Sequence, residues 1–261
     1  MQTIPAAVLD DLAPQGVLRA AINYGNPVLA QAGAGGKPQG ASVELAAALA
    51  QELGVALELV TYDAAGKVFA DLDSGAWNLA FMAIEPVRAA QIAFSEPYVI
   101  IEGTYLVAND APYFEVAQLD RPEVRIAVGQ GAAYDLFLSR TLQQAQLVRA
   151  ATSAEAIALF FERGLEAAAG VRQPLLAAAA AQPGYRVLEG HFTAIRQAMA
   201  VPRQKTQGAA YVNDFIERCK ANGLVKAALQ RSGQGEVTVA PPAAGRLGVI
   251  SPAPPRTVLP G

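Results

Sequence analysis

Residues 79–98 read LAFMAIEPVRAAQIAFSEPY, and this stretch indicates how the chain folds. It opens at residues 79–84 with six apolar residues, a run too short for a helix and of the right length for a fully buried strand. Glu85-Pro86 follows, and proline is favoured in the first turn of a helix. Arg88 therefore lies one turn into a helix, beside the carboxyl end of a buried strand. Because open α/β sheets bind small ligands at the carboxyl ends of their strands, the stretch predicts an α/β fold with Arg88 at its ligand site.

The composition of the 261 residues fits a globular chain of one large or two ordinary domains. With 52% apolar and 16% charged residues, the chain can bury a large core, and global disorder is excluded. The net charge of −3 predicts no nucleic-acid partner and no anionic membrane surface. No apolar run approaches the roughly 18 residues of a membrane-spanning helix.

Cysteine and histidine are nearly absent from the chain. The chain has one cysteine, Cys219, and one histidine, His191. A single cysteine excludes an internal disulfide, and a single histidine leaves few side chains for a metal site or a Ser-His catalytic pair. The stretch Gly129-Gln130-Gly131 lacks the third glycine of a dinucleotide-binding fingerprint. These features predict a protein without a metal or another cofactor.

Strands and helices alternate in the first half of the chain. Strands are predicted at 18–23, 56–61 and 79–84, and helices at 42–52, with Ser42 as the N-cap, and at 67–74. This β-α-β-α-β order predicts a parallel sheet with helices on both faces.

The second half of the chain repeats the pattern of the first. Helix, strand, helix and strand recur in register in LAAALAQELGVALELVTYDAAGKVFADLDSGAWNLAF and DLFLSRTLQQAQLVRAATSAEAIALFFERGLEAAAG, so that Val60 corresponds to Val148 and Asn78 to Glu166. Two copies predict two lobes of similar build rather than a solenoid. The strands of the second lobe are predicted at 125–128, 146–149 and 167–171.

Residues 16–231 resemble the family 3 solute-binding proteins of ABC importers, the group that captures polar amino acids. The motifs LAAALAQELGVALELV, LDSGAWNLAFMAIEPVRAAQIAFSEPY and RIAVGQGAAYDLF occur in the order typical of that family. The resemblance implies a two-lobed α/β fold of the periplasmic binding protein-like type. In that fold each lobe is a central mostly parallel sheet flanked by helices, and two crossover strands join the lobes around the ligand.

The resemblance also implies where the lobes begin and end. Lobe 1 is predicted at 1–107 plus 202–235 and lobe 2 at 108–201, with a hinge near 102–109 and 193–201. After Gly233 the hydrophobic period vanishes and proline becomes frequent, so residues 236–261 are predicted to be a disordered tail.

Arg88 matches the arginine that binds the ligand's carboxylate in this family. A guanidinium presents a planar fork that pairs both carboxylate oxygens, although a surface salt bridge is the alternative role. Ala83, Ala132 and Ala133 stand where the family carries hydroxyl side chains. Backbone N–H groups at the start of the following helix can still bind an anion there.

Val171 departs from the family pattern, because the family places an aspartate there to pair the ligand's ammonium. An ammonium buried against valine would be costly, so α-amino specificity is in doubt. Arg172 follows, and a dicarboxylate or keto acid bound by Arg88 and Arg172 fits better; exposure or helix capping is the alternative for Arg172. Glu102 is either an inward acid that restores an amine site or an exposed hinge charge.

Other residues match the cleft by position. Asn23 stands where the family has aspartate, Tyr24 could contact a ligand or pack within the lobe, and Phe81 could form an apolar wall or part of the core. The remaining candidates of this group are Asn26, Met82, Gly131 and Tyr134.

The resemblance implies a monomeric receptor that captures a small carboxylate-bearing solute, such as an amino acid or related organic acid, for an ABC importer in the membrane. No chemistry is expected. A cyclohexadienyl dehydratase-like enzyme is an alternative, with Glu102 as its only candidate acid. The family predicts a periplasmic protein. However, the first residues, MQTIPAAVLDDLAPQG, lack the features of a signal peptide, so a cytoplasmic sensor or scavenger is a third hypothesis.

Overall fold

In the computed structural model, which describes residues 3–244, the chain forms two lobes that share two long strands, and the C-terminal helices pack on the first lobe. The strands are β1 (Val17–Asn23), β2 (Gln31–Ala32), β3 (Pro38–Gln39), β4 (Ala56–Tyr62), β5 (Ala80–Ala83), β6 (Ile92–Ala108), β7 (Arg125–Gly129), β8 (Gln146–Ala150), β9 (Ala167–Val171), β10 (Tyr185–Val187), β11 (Thr193–Pro202) and β12 (Thr238–Val239). The helices are α1 (Ala6–Leu12), α2 (Ala41–Leu53), α3 (Ala65–Ala70), α4 (Pro86–Ala89), α5 (Ala133–Thr141), α6 (Ser153–Arg163), α7 (Arg172–Ala181), α8 (Thr206–Ala221) and α9 (Leu224–Arg231). None of the helices in residues 3–244 combines the length and the apolar character needed to cross a bilayer.

Lobe 1 is built on the strands that the alternating pattern predicts. β1 and β4 pair in parallel along their whole length, and β5 joins β1 through a parallel bridge between Ala20 and Leu79. All residues of β5 are buried, as expected for a short apolar run with packing on both faces. β11 then lies antiparallel between β5 and β6, which completes the sheet.

Helix α2 covers the lobe 1 sheet with Leu45, Leu49 and Leu53, which are buried on one face, and it ends at Gly54 in the left-handed conformation. Ser42 does not cap this helix, which corrects the prediction. The N-cap is Gly40, whose φ of 115° suits glycine and whose Cβ, if present, would lie 2.6 Å from the Leu29 carbonyl oxygen. Ser42 is instead buried inside the first turn.

Lobe 2 repeats the arrangement. β7 pairs in parallel with β8 on one side and with β9 on the other, and β9 pairs antiparallel with the second half of β6. Each lobe therefore has a parallel centre with an antiparallel crossover strand at its side. This is the two-lobed α/β fold that the sequence predicts.

The crossover strands β6 and β11 run through both lobes without a break. On β6, Ile101 belongs to the lobe 1 core and Tyr105 to the lobe 2 core; on β11, Ile195 packs in lobe 2 and Met199 in lobe 1. On each strand, the change from the core of one lobe to the core of the other falls within the predicted hinge segment. It comes before the predicted lobe boundary, which is 107 on β6 and 201 on β11. A continuous strand carries no turn signal at such a point, so the hydrophobic pattern could not locate it.

The predicted disordered tail begins too early. Within residues 236–244, β12 pairs antiparallel with β6, and Val237 and Ala240, which flank β12, are buried. The remainder of the predicted tail, 245–261, lies outside the described residues. A two-residue edge strand has too few positions to show a hydrophobic period, which is why the sequence pattern missed it.

Candidate functional site

A cavity of about 50 Å³ lies between the lobes, where β1, β5, β7 and β9 end. This is the edge at which open α/β sheets bind ligands. Its lining residues are Asn23, Gly25, Asn26, Leu29, Ser42, Ala64, Ala65, Phe81, Met82, Ala83, Arg88, Gly129, Gln130, Ala132, Ala133, Tyr134, Ser153, Val171, Ile195 and Gln197.

Arg88 is the buried cation of this cavity, with 1% of its surface exposed. Residues 84 and 85 alone separate β5 from helix α4, and this short connection keeps the guanidinium beside the strand end. Its Nη1 donates to the Ala83 carbonyl at 3.1 Å and its Nη2 to the Gly131 carbonyl of lobe 2 at 2.8 Å. A guanidinium has five N–H donors, so donors remain for a ligand.

The charge of Arg88 is not paired with a carboxylate anywhere in residues 3–244. Burial lowers the pKa of Arg88 to about 10, while the nearby negative charge of Glu85 acts in the opposite direction. Glu85 itself is bonded to Arg140 of lobe 2 at 2.5 Å. The cavity thus contains a desolvated cation to which the described residues supply no anionic partner.

The loop between β7 and α5 faces Arg88 from lobe 2. Gly131, with a φ of 76°, turns the chain so that its N–H donates to the Asp135 carboxylate at 2.8 Å. The first N–H groups of a helix have no partner within the helix. At α5 these are the N–H groups of Ala133 and Tyr134, which supply further donors beside the arginine.

Tyr134 lines the cavity, and its hydroxyl is bonded to the loop between β7 and α5. The hydroxyl accepts from the Gly129 N–H at 2.9 Å and shares a 2.8 Å hydrogen bond with Ser153 Oγ. Burial raises the pKa of the Tyr134 hydroxyl, so the hydroxyl is neutral at ordinary pH. Because Tyr134 already accepts one bond, it can donate its proton to Ser153 and leave the serine proton free.

Gln197 is a polar cavity residue that sequence reasoning missed. It lies on β11 opposite Ala83, is 5% exposed, and its side-chain amide has no hydrogen-bond partner within residues 3–244. The signal available was a glutamine preceding the apolar run of residues 198–201 in a crossover strand. Ser42 and Ser153 were also missed, because a lone serine at a helix start is more simply explained as a cap.

The structure brings ten of the predicted site residues to the cavity. They are Asn23, Asn26, Phe81, Met82, Ala83, Arg88, Ala132, Ala133, Tyr134 and Val171. Gly131 contributes its carbonyl to Arg88 rather than a wall. Tyr24 lines a neighbouring cavity. Arg172 lines neither of these two cavities.

Arg172 and Glu102 bind each other at the hinge instead of facing a ligand. Arg172 Nε donates to the Glu102 carboxylate at 2.5 Å, and its Nη1 donates to the Leu188 carbonyl at 3.1 Å. His191 Nδ1 lies 3.2 Å from the same carboxylate. The hydrogen bond from Arg172 lowers the pKa of Glu102. The predicted second cation is therefore already paired, and so is the acid that the amine-site and dehydratase hypotheses required.

A second cavity of about 340 Å³ adjoins the first between the lobes. The two cavities share Gly25, Tyr134, Ser153 and Val171 in their walls. The rest of the second lining consists of Tyr24, Pro27, Asp63, Thr152, Ala154, Ile157, Ala169, Gly170, Pro174 and Leu175. Most of this surface is apolar.

The sequence model of the bacterial extracellular solute-binding proteins, family 3, matches residues 18–234. The chain belongs to this family. The predicted family and the predicted two-lobed fold are therefore confirmed. No curated protein sequence matches the chain.

Solved structures of similar proteins share the fold. A mutant of ArgBP from T. maritima is 20% identical, with a TM-score of 0.75, over 87% of this chain and 99% of that chain. The solute receptor for L-cysteine of Neisseria gonorrhoeae is 25% identical, with a TM-score of 0.76, over 87% and 92%. An ancestral amino acid-binding protein, described as a precursor of cyclohexadienyl dehydratase, is 24% identical, with a TM-score of 0.73, over 85% and 98%.

Proposed function

We propose that this family 3 protein is the receptor of an ABC-type importer and captures a small carboxylate-bearing solute in the cavity between its lobes. The solute is bound and released unchanged. The observation that carries the proposal is Arg88, a buried guanidinium with no carboxylate partner in residues 3–244 that faces a cavity between two lobes. Receptors for L-cysteine and proteins named ArgBP have the same fold.

The energetics of burial favour an anionic ligand at Arg88. Removing a charge from water costs free energy unless an opposite charge and hydrogen bonds replace the water. A carboxylate can accept from the free N–H groups of the guanidinium in the bidentate geometry that suits both groups. The Gln197 amide, which has no hydrogen-bond partner in the part of the chain that the structure describes, and the first N–H groups of α5 provide additional donors for the carboxylate oxygens.

Contacts across the cleft support a closing motion about the hinge. Arg88 reaches the Gly131 carbonyl, and Glu85 pairs with Arg140, so two bonds link the lobes near the cavity. The backbones of Gly66 and Gly131 also approach closely, because a Cβ on Gly131 would lie 2.9 Å from Gly66 Cα. Lobes that open and close about two strands are a known hinge device for enclosing a ligand.

The proposed delivery of a solute to an importer determines the partner and the cellular location that we expect for this protein. We propose that the protein acts as a monomer, that it delivers its solute to the membrane complex of the importer, and that it works outside the cytoplasmic membrane, as the family description implies. Co-purification with an importer encoded beside its gene would test the partner. Accumulation of the native protein in the cytoplasm would instead favour the sensor or scavenger hypothesis.

Matched ligand pairs test the proposed function directly. The purified protein is titrated with a panel of small carboxylates and with the primary amide of each. We expect at least one carboxylate, at about 100 times its Kd, to stabilise the fold by about 2.7 kcal/mol. For a chain of this length that is a rise in Tm of roughly 5–10 °C. An amide that stabilises the protein as strongly as its carboxylate would contradict a role for charge.

Substitution of Gly66 by alanine tests the closed arrangement. The added Cβ would lie 3.2 Å from the Gln130 carbonyl oxygen of lobe 2, which is tighter than ordinary contact. We expect affinity to fall by about tenfold, since overpacking of this kind costs roughly 1–3 kcal/mol. Thermal stability of the empty protein should be unchanged or higher, because alanine favours α3 by up to about 1 kcal/mol.

Gly235→Ala is the matched control for this test. Its Cβ would lie 3.4 Å from Gln230 Cγ, which is an ordinary contact, and Gly235 lines neither cavity. Unchanged affinity in Gly66→Ala would show that the lobes do not need to approach this closely when a ligand binds.

A further inference from the structure

We propose that the ligand is a monocarboxylate without an amine, and that it carries an apolar substituent which occupies the second cavity. This inference rests on the proposed function, because it takes Arg88 as the carboxylate site. It goes further by assigning the net charge of the ligand and the place of its side group. Three observations carry it: the charges in the walls, the position of Val171, and the sizes of the two cavities.

Among residues 3–244, the walls of the two cavities contain one charged side chain that has no partner of opposite charge and is available to a ligand. Within residues 3–244, Arg88 is the only charged side chain that lines the first cavity. In the same part of the chain, Asp63 is the only charged residue that lines the second cavity, and it is an exposed carboxylate bonded to Lys67 at 2.7 Å. Arg172 is bonded to Glu102 outside both cavities. A ligand with a single negative charge therefore matches the walls, and a second carboxylate would find no cation.

An ammonium group on the ligand would also lack a partner of opposite charge. Val171 lies in the wall that the two cavities share, so its apolar side chain borders the path from the arginine site to the second cavity. No carboxylate from residues 3–244 lines the first cavity to compensate a positive charge there. Burying an unpaired ammonium against such a surface is costly, whereas burying carbon is favourable.

The volumes of the two cavities indicate which part of the ligand each cavity can hold. A cavity of roughly 150 Å³ in another protein holds a benzene molecule. The first cavity, at about 50 Å³, can hold a carboxylate with its nearest carbon but not a ring. The second, at about 340 Å³, has room for a ring or a branched chain, and Pro27, Ile157 and Leu175 give it apolar walls.

A series of ligands that each differ from 3-phenylpropanoate in one group separates these arguments. The probes are 3-phenylpropanoate, propanoate without the ring, L-phenylalanine with an added ammonium, and benzylmalonate with a second carboxylate. Binding to the full chain is measured by calorimetry. We expect 3-phenylpropanoate to bind at least tenfold more tightly than each of the other three.

A substitution at the mouth of the second cavity provides an independent measurement. Ala154 is exposed and lines the second cavity, so Ala154→Trp should fill this space without disturbing the core. We expect it to abolish the advantage of 3-phenylpropanoate over propanoate and to leave propanoate binding unchanged. Ala158→Trp is the control, because Ala158 is exposed on the same helix and lines neither cavity. It should retain the wild-type preference.

The outcomes separate this inference from the function on which it rests. L-phenylalanine or benzylmalonate binding as tightly as 3-phenylpropanoate would overturn the charge assignment and leave a carboxylate receptor standing. Equal affinities for 3-phenylpropanoate and propanoate, or no effect of Ala154→Trp, would overturn the role of the second cavity. If no carboxylate bound in this series or in the broader panel, both the inference and the proposed function would fail.

Discussion

Replacement of Arg88 by methionine is expected to weaken carboxylate binding by at least a hundredfold. The bound carboxylate would lose its charged partner inside a cavity to which residues 3–244 contribute no other cation. Removing one partner of a buried ion pair costs about 3–5 kcal/mol, and each 1.4 kcal/mol is a factor of ten in affinity. Calorimetric titration with the carboxylate that stabilises the wild-type protein provides the measurement.

The empty Arg88→Met protein should melt within a few degrees of the wild type. The substitution deprives the Ala83 and Gly131 carbonyls of a donor, but it also removes a buried charge that has no carboxylate partner in residues 3–244. These two effects oppose each other, so an intact fold with lost binding is the expected signature. It separates a ligand-binding arginine from one that only stabilises the fold.

Two further variants complete the test of Arg88. Arg203→Met is the matched control, because Arg203 is exposed, donates to the Ala89 carbonyl at 2.6 Å and lines neither cavity. It should bind like the wild type. Arg88→Lys keeps the charge without the planar fork and should give an intermediate affinity. Wild-type affinity in Arg88→Met would refute the carboxylate site.

Truncation after Gly235 is expected to destabilise the protein by about 4 kcal/mol. The deleted segment includes β12 and the preceding Val237, whose burial contributes about 1.5–3 kcal/mol. It also includes the Pro241 carbonyl, which accepts from Lys220 at 3.0 Å, and the Ala243 N–H, which donates to Glu217 at 3.1 Å. Lys220 and Glu217 are both buried, and removing a partner from such a group costs about 1–3 kcal/mol.

The control is a second truncation after Ala244, which keeps every residue of this packed segment. The difference between the two truncated proteins measures what residues 236–244 contribute. We expect a difference in Tm of about 10 °C by differential scanning calorimetry, since 1 kcal/mol shifts Tm by roughly 2–4 °C at this chain length. Equal Tm values would contradict a stabilising role for this segment and would support the predicted disordered tail from residue 236 onwards.

Local pattern was sufficient for much of the fold. The short apolar runs predicted the strands of both lobes, and β9 has the predicted bounds of 167–171. Glu85-Pro86 predicted the helix start that carries Arg88. The repeat predicted two lobes of like build, because each copy contains its own strand and helix order. These features depend on residues close together in the chain, where periodicity and turn chemistry act directly.

Contacts between distant segments account for what local pattern missed. Arg172 pairs with Glu102 because β9 ends beside the centre of β6, and neither residue has a neighbour in sequence that indicates this. Gln197 faces the cavity because β11 pairs with β5 in one particular register.

Side chains near a buried strand end are predictable from the alternation of apolar and polar residues. Which of them meet, and whether a charge such as that of Arg88 finds a partner, depends on how strands far apart in sequence pair and how the lobes approach. Hydrogen bonds and ion pairs have a reach of a few ångströms, so this outcome exists only after the chain has folded.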